Sequence, residues 1–302
     1  MIKILLLAGG FSAESEVSKR SGSNVEKALV AAGYEVDNCD PKTISESELI
    51  NKINSSEVVF PVLHGEWGED GTLQTILEYQ NAKFVGSDSK SSKLCINKQL
   101  MREIAVQNNI KIAEGTVFSK REYLESKIIN TNHVVKPVVG GSSIDTFIVN
   151  NNYKSQKQDI LNAFDKFKKM IVEELIVGIE ITVGILGNKP LPVIEIIPPS
   201  NENFDYENKY NGETQEICPP INVSKETQIK AQELTLKIHK LFGCRDMSRT
   251  DFIVKPDQEL VLLDVNTIPG LTKQSLLPNA AYSAGYDMPN LVDALVKMAL
   301  NR

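Results

Sequence analysis

The chain opens on a continuous apolar run, Ile2 to Ala8, which ends at the glycine pair Gly9-Gly10. An unbroken apolar run of this length is typical of a parallel strand that is buried on both faces. Apolar residues then recur at helical spacing from Glu16 to Ala32, and Gly33 predicts the end of that helix. This strand, turn and helix predict an α/β fold that begins with a parallel sheet.

The periodic segments that follow predict further strands and helices along the whole chain. The first stretch continues with predicted strands at Glu35–Asn38 and Glu57–Leu63. A second unit begins near Gly86, with helices predicted at Lys93–Asn108 and Arg121–Lys127 and strands at His133–Lys136 and Met170–Glu174. The third stretch shows a hairpin pattern, Glu180–Leu186 and Leu191–Ile197, then a helix at Lys225–Phe242 and strands at Thr250–Val254 and Leu260–Val265.

Composition excludes several classes of protein. Hydrophobic residues make up 41% and charged residues 24% of the chain, as in an ordinary packed globular protein. A formal net charge of −6 provides no basic field for nucleic acid. No apolar stretch approaches the roughly 20 residues of a membrane span, so no membrane insertion is expected. Four cysteines without a C-x-x-C pair suit a reducing compartment, and we therefore expect a cytoplasmic protein.

The glycine turn after the first strand leads into a helix N-terminus, where free backbone N–H groups favour an anion. The turn lacks the full G-x-G-x-x-G pattern, so an ordinary strand-to-helix turn is an equal alternative. Glu14 lies at this helix start. Its carboxylate either stabilises the helix dipole or binds a substrate ammonium group, and residue chemistry alone favours the first interpretation.

A second glycine-rich segment, His64 to Gly71, directly follows the predicted strand at Glu57–Leu63. Ligands of open α/β sheets bind at the carboxyl ends of the strands, which makes His64 a candidate site residue. The alternative is a polar turn that carries a surface histidine.

Two lysines are candidates for binding phosphate. Lys98 lies on a predicted helix, and Lys136 ends an apolar strand just before Pro137. A cation at the end of a buried strand needs an anionic partner. The turn that follows, Gly140 to Ser143, offers N–H and hydroxyl donors, and a lysine beside such a loop is one way to hold a triphosphate.

The most specific pattern is a set of three oxygen-bearing side chains on the last two predicted strands, the acidic set Asp251, Asp264 and Asn266. Asp251 lies near the start of one strand and Asp264 near the end of the next, so antiparallel pairing brings them together. Asn266 follows two residues later and points to the same face as Asp264. Three converging oxygen ligands suit a hard cation such as Mg²⁺, and Arg249 is placed beside them to stabilise developing negative charge. A solvent-facing polar edge is the alternative.

These segments, in their order and spacing, resemble the D-alanine–D-alanine ligase family of the ATP-grasp fold over essentially the whole chain. The resemblance is carried by seven segments: Gly9–Ser18, His64–Gly71, Val135–Pro137, Gly141–Ser143, Asp205–Tyr210, Arg249–Asp251 and Asp264–Thr272. It implies an α/β (α+β) fold of three domains, 1–86, 87–174 and 175–302, with a mobile loop at 198–220. It also implies a cytoplasmic homodimer that makes D-alanyl-D-alanine for peptidoglycan precursor synthesis.

The resemblance further implies where ATP and metal bind. ATP lies between the second and third domains, and two Mg²⁺ ions, with Mn²⁺ as an alternative, bind Asp251, Asp264 and Asn266. Lys98 and Lys136 contact phosphates, Ser143 belongs to the loop over the γ-phosphate, and Glu180 accepts from the ribose hydroxyls. The segment that contains Glu173, Glu174 and Ile176 lines the adenine pocket.

The two D-alanine sites are implied in the same way. Glu14 holds the ammonium group of the first D-alanine, against the interpretation from residue chemistry, and His64 lies near its carboxylate. Ser275 and Leu276 bind the carboxylate of the second D-alanine. Arg249 and the N–H of Gly270 stabilise the tetrahedral oxyanion. Lys209 and Tyr210 reach into the site from the mobile loop at 198–220. Tyr210, Ser142 of the phosphate loop and Glu14 form a hydrogen-bonded trio.

The chain departs from the family pattern at two places. The family usually has glutamate where this chain has Asp264, which shortens the arm of one metal ligand. The phosphate loop has Gly140 before it and Ile144-Asp145 after it, where the family usually has a charged residue and Val-Gly. Tyr210 keeps the family residue, and because relatives that make D-alanyl-D-lactate tend to lack it, D-alanine is favoured as second substrate.

Three alternative functions remain open at this stage. The first is a nucleotide-binding oxidoreductase, which would need an acidic residue after the second strand to bind the ribose; Asp37 or Asp40 is a candidate. It leaves the acidic set near Asp264 unexplained. A catalytically silent ATP-grasp protein and a ligase for another amino or hydroxy acid are the other two.

Overall fold

The computed structural model describes residues 1–141, 144–199 and 214–302, and its strands form three sheets. The first sheet is parallel, in the order β2-β1-β3, and its strands are β1 (Lys3–Leu7), β2 (Glu35–Cys39) and β3 (Val58–Pro61). Its helices are α1 (Ser15–Ala31), α2 (Glu46–Asn54) and α3 (Thr72–Tyr79), with a 3₁₀ turn at Pro41–Thr43. The predicted α/β start with a parallel sheet is confirmed.

The second sheet is antiparallel, in the order β4-β7-β5-β6. Its strands are β4 (Gly115–Ser119), β5 (His133–Pro137), β6 (Phe147–Val149) and β7 (Lys169–Glu174). The helices of this part of the chain are α4 (Ser89–Ile96), α5 (Lys98–Gln107), α6 (Lys120–Glu125) and α7 (Tyr153–Phe167), with a 3₁₀ turn at Lys127–Asn130.

The third sheet is also antiparallel, in the order β11-β10-β8-β12-β13, with β9 paired to β8. Its strands are β8 (Ile179–Leu186), β9 (Lys189–Pro190), β10 (Ile194–Ile197), β11 (Gln215–Ile217), β12 (Met247–Val254) and β13 (Leu260–Asn266). Its helices are α8 (Lys225–Leu241), α9 (Leu276–Ser283) and α10 (Met288–Leu300). The predicted hairpin is confirmed because β8 and β10 pair antiparallel, with Ile194 opposite Thr182.

One sequence prediction for the middle of the chain is wrong. The helix predicted at Lys93–Asn108 is two helices, because Asn97 is extended (φ −87°, ψ 97°) and its side chain caps the second helix through Leu100 N–H at 3.1 Å. Asn97 also forms an isolated bridge with Val139, so it cannot continue a helix. Helix α7 was not predicted, because only Ile160, Ala163 and Phe164 are buried among its many polar residues and the apolar pattern is therefore weak.

The hydrophobic cores do not follow the three sheets one by one. One core joins the first sheet to α9 and α10, through residues such as Leu6, Leu277 and Leu295, each 0–1% exposed. A second core joins α4 and α5 to the third sheet through Met101, Ala105 and Phe252. Each fully buried large apolar side chain contributes roughly 1.5–3 kcal/mol, so these shared cores hold the ends of the chain together.

Among the described residues, no helix has both the length and the apolar character needed to cross a bilayer.

Candidate active site

A single cavity of about 1050 Å³ opens where the three sheets and helix α1 meet. Its lining includes every predicted site residue that the structure describes: Glu14, His64, Lys98, Lys136, Glu173, Glu174, Ile176, Glu180, Arg249, Asp251, Asp264, Asn266, Gly270, Ser275 and Leu276. Ser142, Ser143, Lys209 and Tyr210 lie outside the described residues. Residues from distant parts of the sequence are therefore brought to one cavity large enough for a nucleotide and small substrates.

The glycine turn after β1 is held by the protein itself. Gly9 N–H donates to Ser18 Oγ at 2.8 Å, and Gly10 N–H donates to Asp40 Oδ1 at 2.9 Å. Gly9 has φ +94°, and a Cβ there would lie 2.3 Å from Asp40 Oδ2, so only glycine fits. Since these two N–H groups already have acceptors, the turn is a structural one rather than an anion site.

The same contacts weigh against a dinucleotide-binding oxidoreductase. The Oδ1 atom of Asp40, one candidate ribose ligand, accepts hydrogen bonds from Gly10 N–H and, at 3.0 Å, from Lys42 N–H. Asp37, the other candidate, forms an ion pair with Lys52 at 2.9 Å. Both carboxylates have structural partners, and neither lines the cavity.

Glu14 and Glu69 are two buried carboxylates at the α1 end of the cavity, 4% and 8% exposed. Glu14 is the residue before α1, yet its side chain makes no capping hydrogen bond, so helix capping does not explain its position. Glu69 Oε2 accepts from Gly65 N–H at 2.6 Å. Burial, followed by the nearby charge of Glu14, raises the pKa of Glu69. One negative charge on this pair is suited to a substrate ammonium group.

His64 lies in the same corner with its ring buried. Burial lowers its pKa to about 4, so the imidazole is neutral at physiological pH. Its backbone carbonyl accepts from Ser12 Oγ at 2.7 Å, which ties the strand end to the loop before α1. Its Nε2 is buried without a hydrogen-bond partner among the described residues. An orphaned imidazole nitrogen in a cavity wall can donate to or accept from a bound molecule.

The predicted anionic partner of Lys136 is Glu173 on the neighbouring strand β7. Lys136 Nζ lies 2.5 Å from Glu173 Oε1, and Arg102 Nη1 donates to Glu173 Oε2. All three side chains are buried, so the carboxylate is held between two cations. This arrangement holds Lys136 at the cavity wall, where a polyphosphate can approach it.

Lys98 connects the phosphate-loop turn to the acidic set. Its Nζ donates to the carbonyl of Gly140 at 2.7 Å and lies 3.2 Å from Asp264 Oδ2. The start of helix α5 fixes this position, because Lys98 N–H donates to the carbonyl of Val138 at 2.8 Å. One ammonium group thus links the segment before Ser142 with strand β13.

The predicted pairing of the acidic set is confirmed. Asp251 lies directly opposite Asp264 in the β12–β13 ladder, Arg249 lies opposite Asn266, and a register shift follows Asp251. Arg249 holds Asp251 through two bonds of 2.9 Å, Nε to Oδ1 and Nη2 to Oδ2. Thr182 Oγ1 also donates to Asp251 Oδ1 at 2.6 Å.

The donor set fits a hard divalent cation. Two carboxylates and one amide oxygen line the same wall, and Mg²⁺ takes such oxygens while keeping waters and phosphate oxygens in its remaining positions. Arg249 and Lys98 balance the two carboxylates in this structure. No group of three or more His, Cys, Asp or Glu side chains suited to a metal ion occurs in residues 1–141, 144–199 and 214–302.

Ser275 and Gly270 also line the cavity, just before helix α9. Ser275 is the residue before this helix, and its Oγ bonds with Thr272 Oγ1 at 2.8 Å and accepts from Thr272 N–H at 3.0 Å. A Cβ on Gly270 would lie 2.8 Å from Ser275 Oγ, so the backbone approaches this hydroxyl closely. The N-terminal N–H groups of α9 favour a carboxylate.

Glu69 and Glu216 are among the cavity residues that were not assigned a role from the sequence. Glu69 belongs to the segment that begins at His64, so its place in that motif was the available signal. Glu216 on β11 carries no motif signal, and it reaches the cavity only through the pairing of β11 with β10.

The antiparallel second and third sheets, with lysines and an acidic set facing one cavity, define the class of the chain as an ATP-grasp enzyme, an ATP-dependent ligase. Family models described as "D-ala D-ala ligase N-terminus" and "D-ala D-ala ligase C-terminus" match residues 36–87 and 101–297. The chain belongs to the D-alanine–D-alanine ligase family.

Full-length relatives support the same assignment. The chain is 36% identical to the D-alanine–D-alanine ligase of Xanthobacter autotrophicus, over 98% of this chain and 97% of that protein. It is similar to the crystal structure of D-alanine–D-alanine ligase from Bacillus anthracis complexed with ATP, at 28% identity, TM-score 0.84, and coverage of 100% and 98%. It is also similar to the VanG D-Ala:D-Ser ligase of Enterococcus faecalis, at 28% identity, TM-score 0.80, and coverage of 99% of each chain.

Proposed function

We propose that this chain joins two D-alanines, with ATP converted to ADP and phosphate through an acyl phosphate, to supply peptidoglycan precursor synthesis. The observation that carries this proposal is the convergence of the described site residues on one cavity of about 1050 Å³. The cavity offers a carboxylate pair for an ammonium group, a helix N-terminus for a carboxylate, and the cations Lys98, Lys136 and Arg249 for phosphate oxygens.

In this scheme, ATP lies between the second and third sheets. Lys98 and Lys136 neutralise its phosphates, and Ser143 closes over the γ-phosphate. The segment with Glu173, Glu174 and Ile176 lines the adenine pocket, and Glu180 accepts from the ribose.

Asp251, Asp264 and Asn266 would hold two Mg²⁺ ions, which when bound would supply charge neutralisation of the phosphates. The short arm of Asp264 keeps a carboxylate ligand there, and Lys98 already contacts its Oδ2.

The first D-alanine is held by its two charged ends. Glu14, beside Glu69, binds the ammonium group, and neutral His64 contacts the carboxylate region. The carboxylate attacks the γ-phosphoryl group, which the two lysines and Ser143 orient. Closure of the loop at 198–220 excludes water that would hydrolyse the acyl phosphate, and Lys209, Tyr210 and Ser142 act in that closed state.

The second D-alanine binds at the N-terminus of α9. Ser275 and the N–H of Leu276 hold its carboxylate, and its amine attacks the acyl phosphate. Arg249 and the N–H of Gly270 stabilise the oxyanion that forms. Arg249 is held in place by its two bonds to Asp251, so its guanidinium is oriented before the substrate arrives.

We also propose three domains at 1–86, 87–174 and 175–302, and a cytoplasmic homodimer. The predicted boundaries are positions where the chain passes from one sheet to the next. The domains are not independent folding units, because they share hydrophobic cores.

The test is ADP release that depends on D-alanine, with mass detection of the dipeptide, run beside D-lactate and D-serine as second substrates. D-alanyl-D-alanine as the main product supports the proposal. ADP release without D-alanine, or a mixed product with D-lactate or D-serine in the majority, contradicts it.

A further inference from the structure

Glu216 is a cavity carboxylate to which neither the motifs nor the proposed scheme gives a role. It lies at the centre of strand β11, directly opposite Ile196 of β10, and both residues line the cavity. Opposite residues of an antiparallel pair share a face of the sheet. Ile196 packs in the core with Leu276 and Leu277, so Glu216 lies on the face that helix α9 covers.

Helix α9 holds this carboxylate near the proposed acceptor site. Asn279 Nδ2 donates to Glu216 Oε2 at 2.7 Å. The backbone N–H of Asn279 in turn donates to the carbonyl of Ser275 at 3.2 Å, so Asn279 lies one helical turn from Ser275 and Leu276. Among the described residues, Asn279 is the hydrogen-bond donor to Glu216, and the carboxylate Oε1 faces a position that a ligand can take.

The pKa of Glu216 is raised above the ordinary value of a glutamate carboxyl, chiefly by burial. Burial raises the pKa of Glu216, while the Asn279 hydrogen bond and the charge of Arg249 lower it. Glu195, the neighbour of Ile196 on β10, is bonded to Ile221 and Asn222 instead. Arg249 from β12 and Asn279 from α9 are therefore the charged and polar groups that set its proton affinity.

We propose that Glu216 is a catalytic residue that binds the ammonium group of the second amino acid and accepts a proton from it. This inference rests on the proposed function, because it needs an acceptor carboxylate at Ser275 and Leu276. An α-amino acid arrives as an ammonium ion and cannot attack until one proton leaves. Glu216 takes that proton, and the neutral amine is left in contact with the protonated carboxyl.

The step balances without a further reagent. The amine nitrogen forms a bond to the acyl carbon, the acyl C–O bond to phosphate breaks, and phosphate leaves with that electron pair. The second proton that the nitrogen loses goes to the leaving phosphate or to solvent. A carboxylate here also favours an amino acid over a hydroxy acid, because only the former brings a cation to it.

The test compares Glu216→Gln with wild type in two reactions. In the first, D-alanine is the acceptor, and kcat/KM for the second D-alanine should fall about 100-fold or more, the usual worth of a general base. In the second, hydroxylamine traps the acyl phosphate. It is largely neutral at pH 7 and needs no proton acceptor, so hydroxamate formation should stay within about twofold of wild type. Glu226→Gln, an exposed carboxylate on α8 paired with Lys230, is the charge-matched control and should leave both reactions unchanged.

The pH profile gives a second, directional readout. Asn279→Ala removes a hydrogen bond that lowers the pKa of Glu216, so the acidic limb of the acceptor kcat/KM profile should move to higher pH. Glu216→Gln should lack that limb. Equal loss of hydroxamate and dipeptide in Glu216→Gln, or wild-type acceptor kinetics, overturns the proposal. A wild-type protein that forms hydroxamate but no dipeptide contradicts the proposed ligase function instead.

Discussion

Replacing Glu173 by glutamine tests how the buried cations of the phosphate wall are held. Glu173 is 3% exposed and lies between Lys136 and Arg102, each 8% exposed. Glutamine keeps the shape of the side chain but removes its charge. The two cations then remain buried without a carboxylate, while Arg102 still donates to the carbonyls of Ala113 and Gly115.

The cost follows from these contacts. Breaking a buried ion pair by removing one partner costs about 3–5 kcal/mol of unfolding free energy, since the remaining charge stays unpaired. Lys136→Met should cost about 1–3 kcal/mol, because Arg102 still compensates Glu173 and methionine fills most of the space. The structure therefore predicts that the carboxylate variant is the less stable of the two.

The assay is urea denaturation of the ligand-free protein, followed by circular dichroism and tryptophan fluorescence. Glu125→Gln is the matched control, because Glu125 forms an exposed ion pair with Arg121 and its loss should change stability by less than about 0.5 kcal/mol. Should Lys136→Met prove as destabilising as Glu173→Gln, the shared role of the carboxylate would be refuted.

Three further outcomes are expected. Arg249→Ala should slow ligation about 10²–10³-fold in steady-state kinetics, the cost of one oxyanion donor, and a loss below threefold would contradict its role. Asp264→Asn should raise the Mg²⁺ concentration needed for half-maximal activity about tenfold or more, and an unchanged Mg²⁺ titration would remove Asp264 from the metal site. Burial lowers the pKa of His64 and of His239 to about 4, below the unfolded value of 6.5, so the unfolded chain binds more protons and stability falls as pH drops from 6.5 toward 4. Each histidine should cost about 2 kcal/mol at pH 5, and His64→Gln should show a shallower decline in pH-dependent denaturation than wild type.

The local pattern was enough to predict the antiparallel pairing of the last two strands. Two apolar runs and a short turn indicated two antiparallel strands whose pairing brings Asp251 near Asp264, and the register shift after Asp251 then sets the two residues directly opposite each other. Lys136 could be identified as a candidate site residue because a cation at the end of an apolar strand needs an anionic partner. The partner itself, Glu173, came from strand β7, which pairs with β5 across more than 30 residues of sequence.

Other features could not be predicted, for identifiable reasons. The break at Asn97 depends on a bridge to Val139, a contact that helical periodicity does not contain. Helix α7 buries few apolar side chains, so its helical pattern of apolar residues is weak. Glu216 faces the cavity because β11 pairs with β10, and β11 follows the segment 200–213, which lies outside the described residues.

The sequence by itself determined the order of strands and helices, the glycine turns and the family, because these depend on residue type and short spacing. Tertiary structure decided which charges meet: Lys98 with Asp264, Glu14 beside Glu69, and Lys136 with Glu173. Such contacts arise from side chains far apart in sequence that the packed sheets hold within a few ångströms of one another. Only burial in a common cavity, where water no longer screens the charges, turns these side chains into an active site.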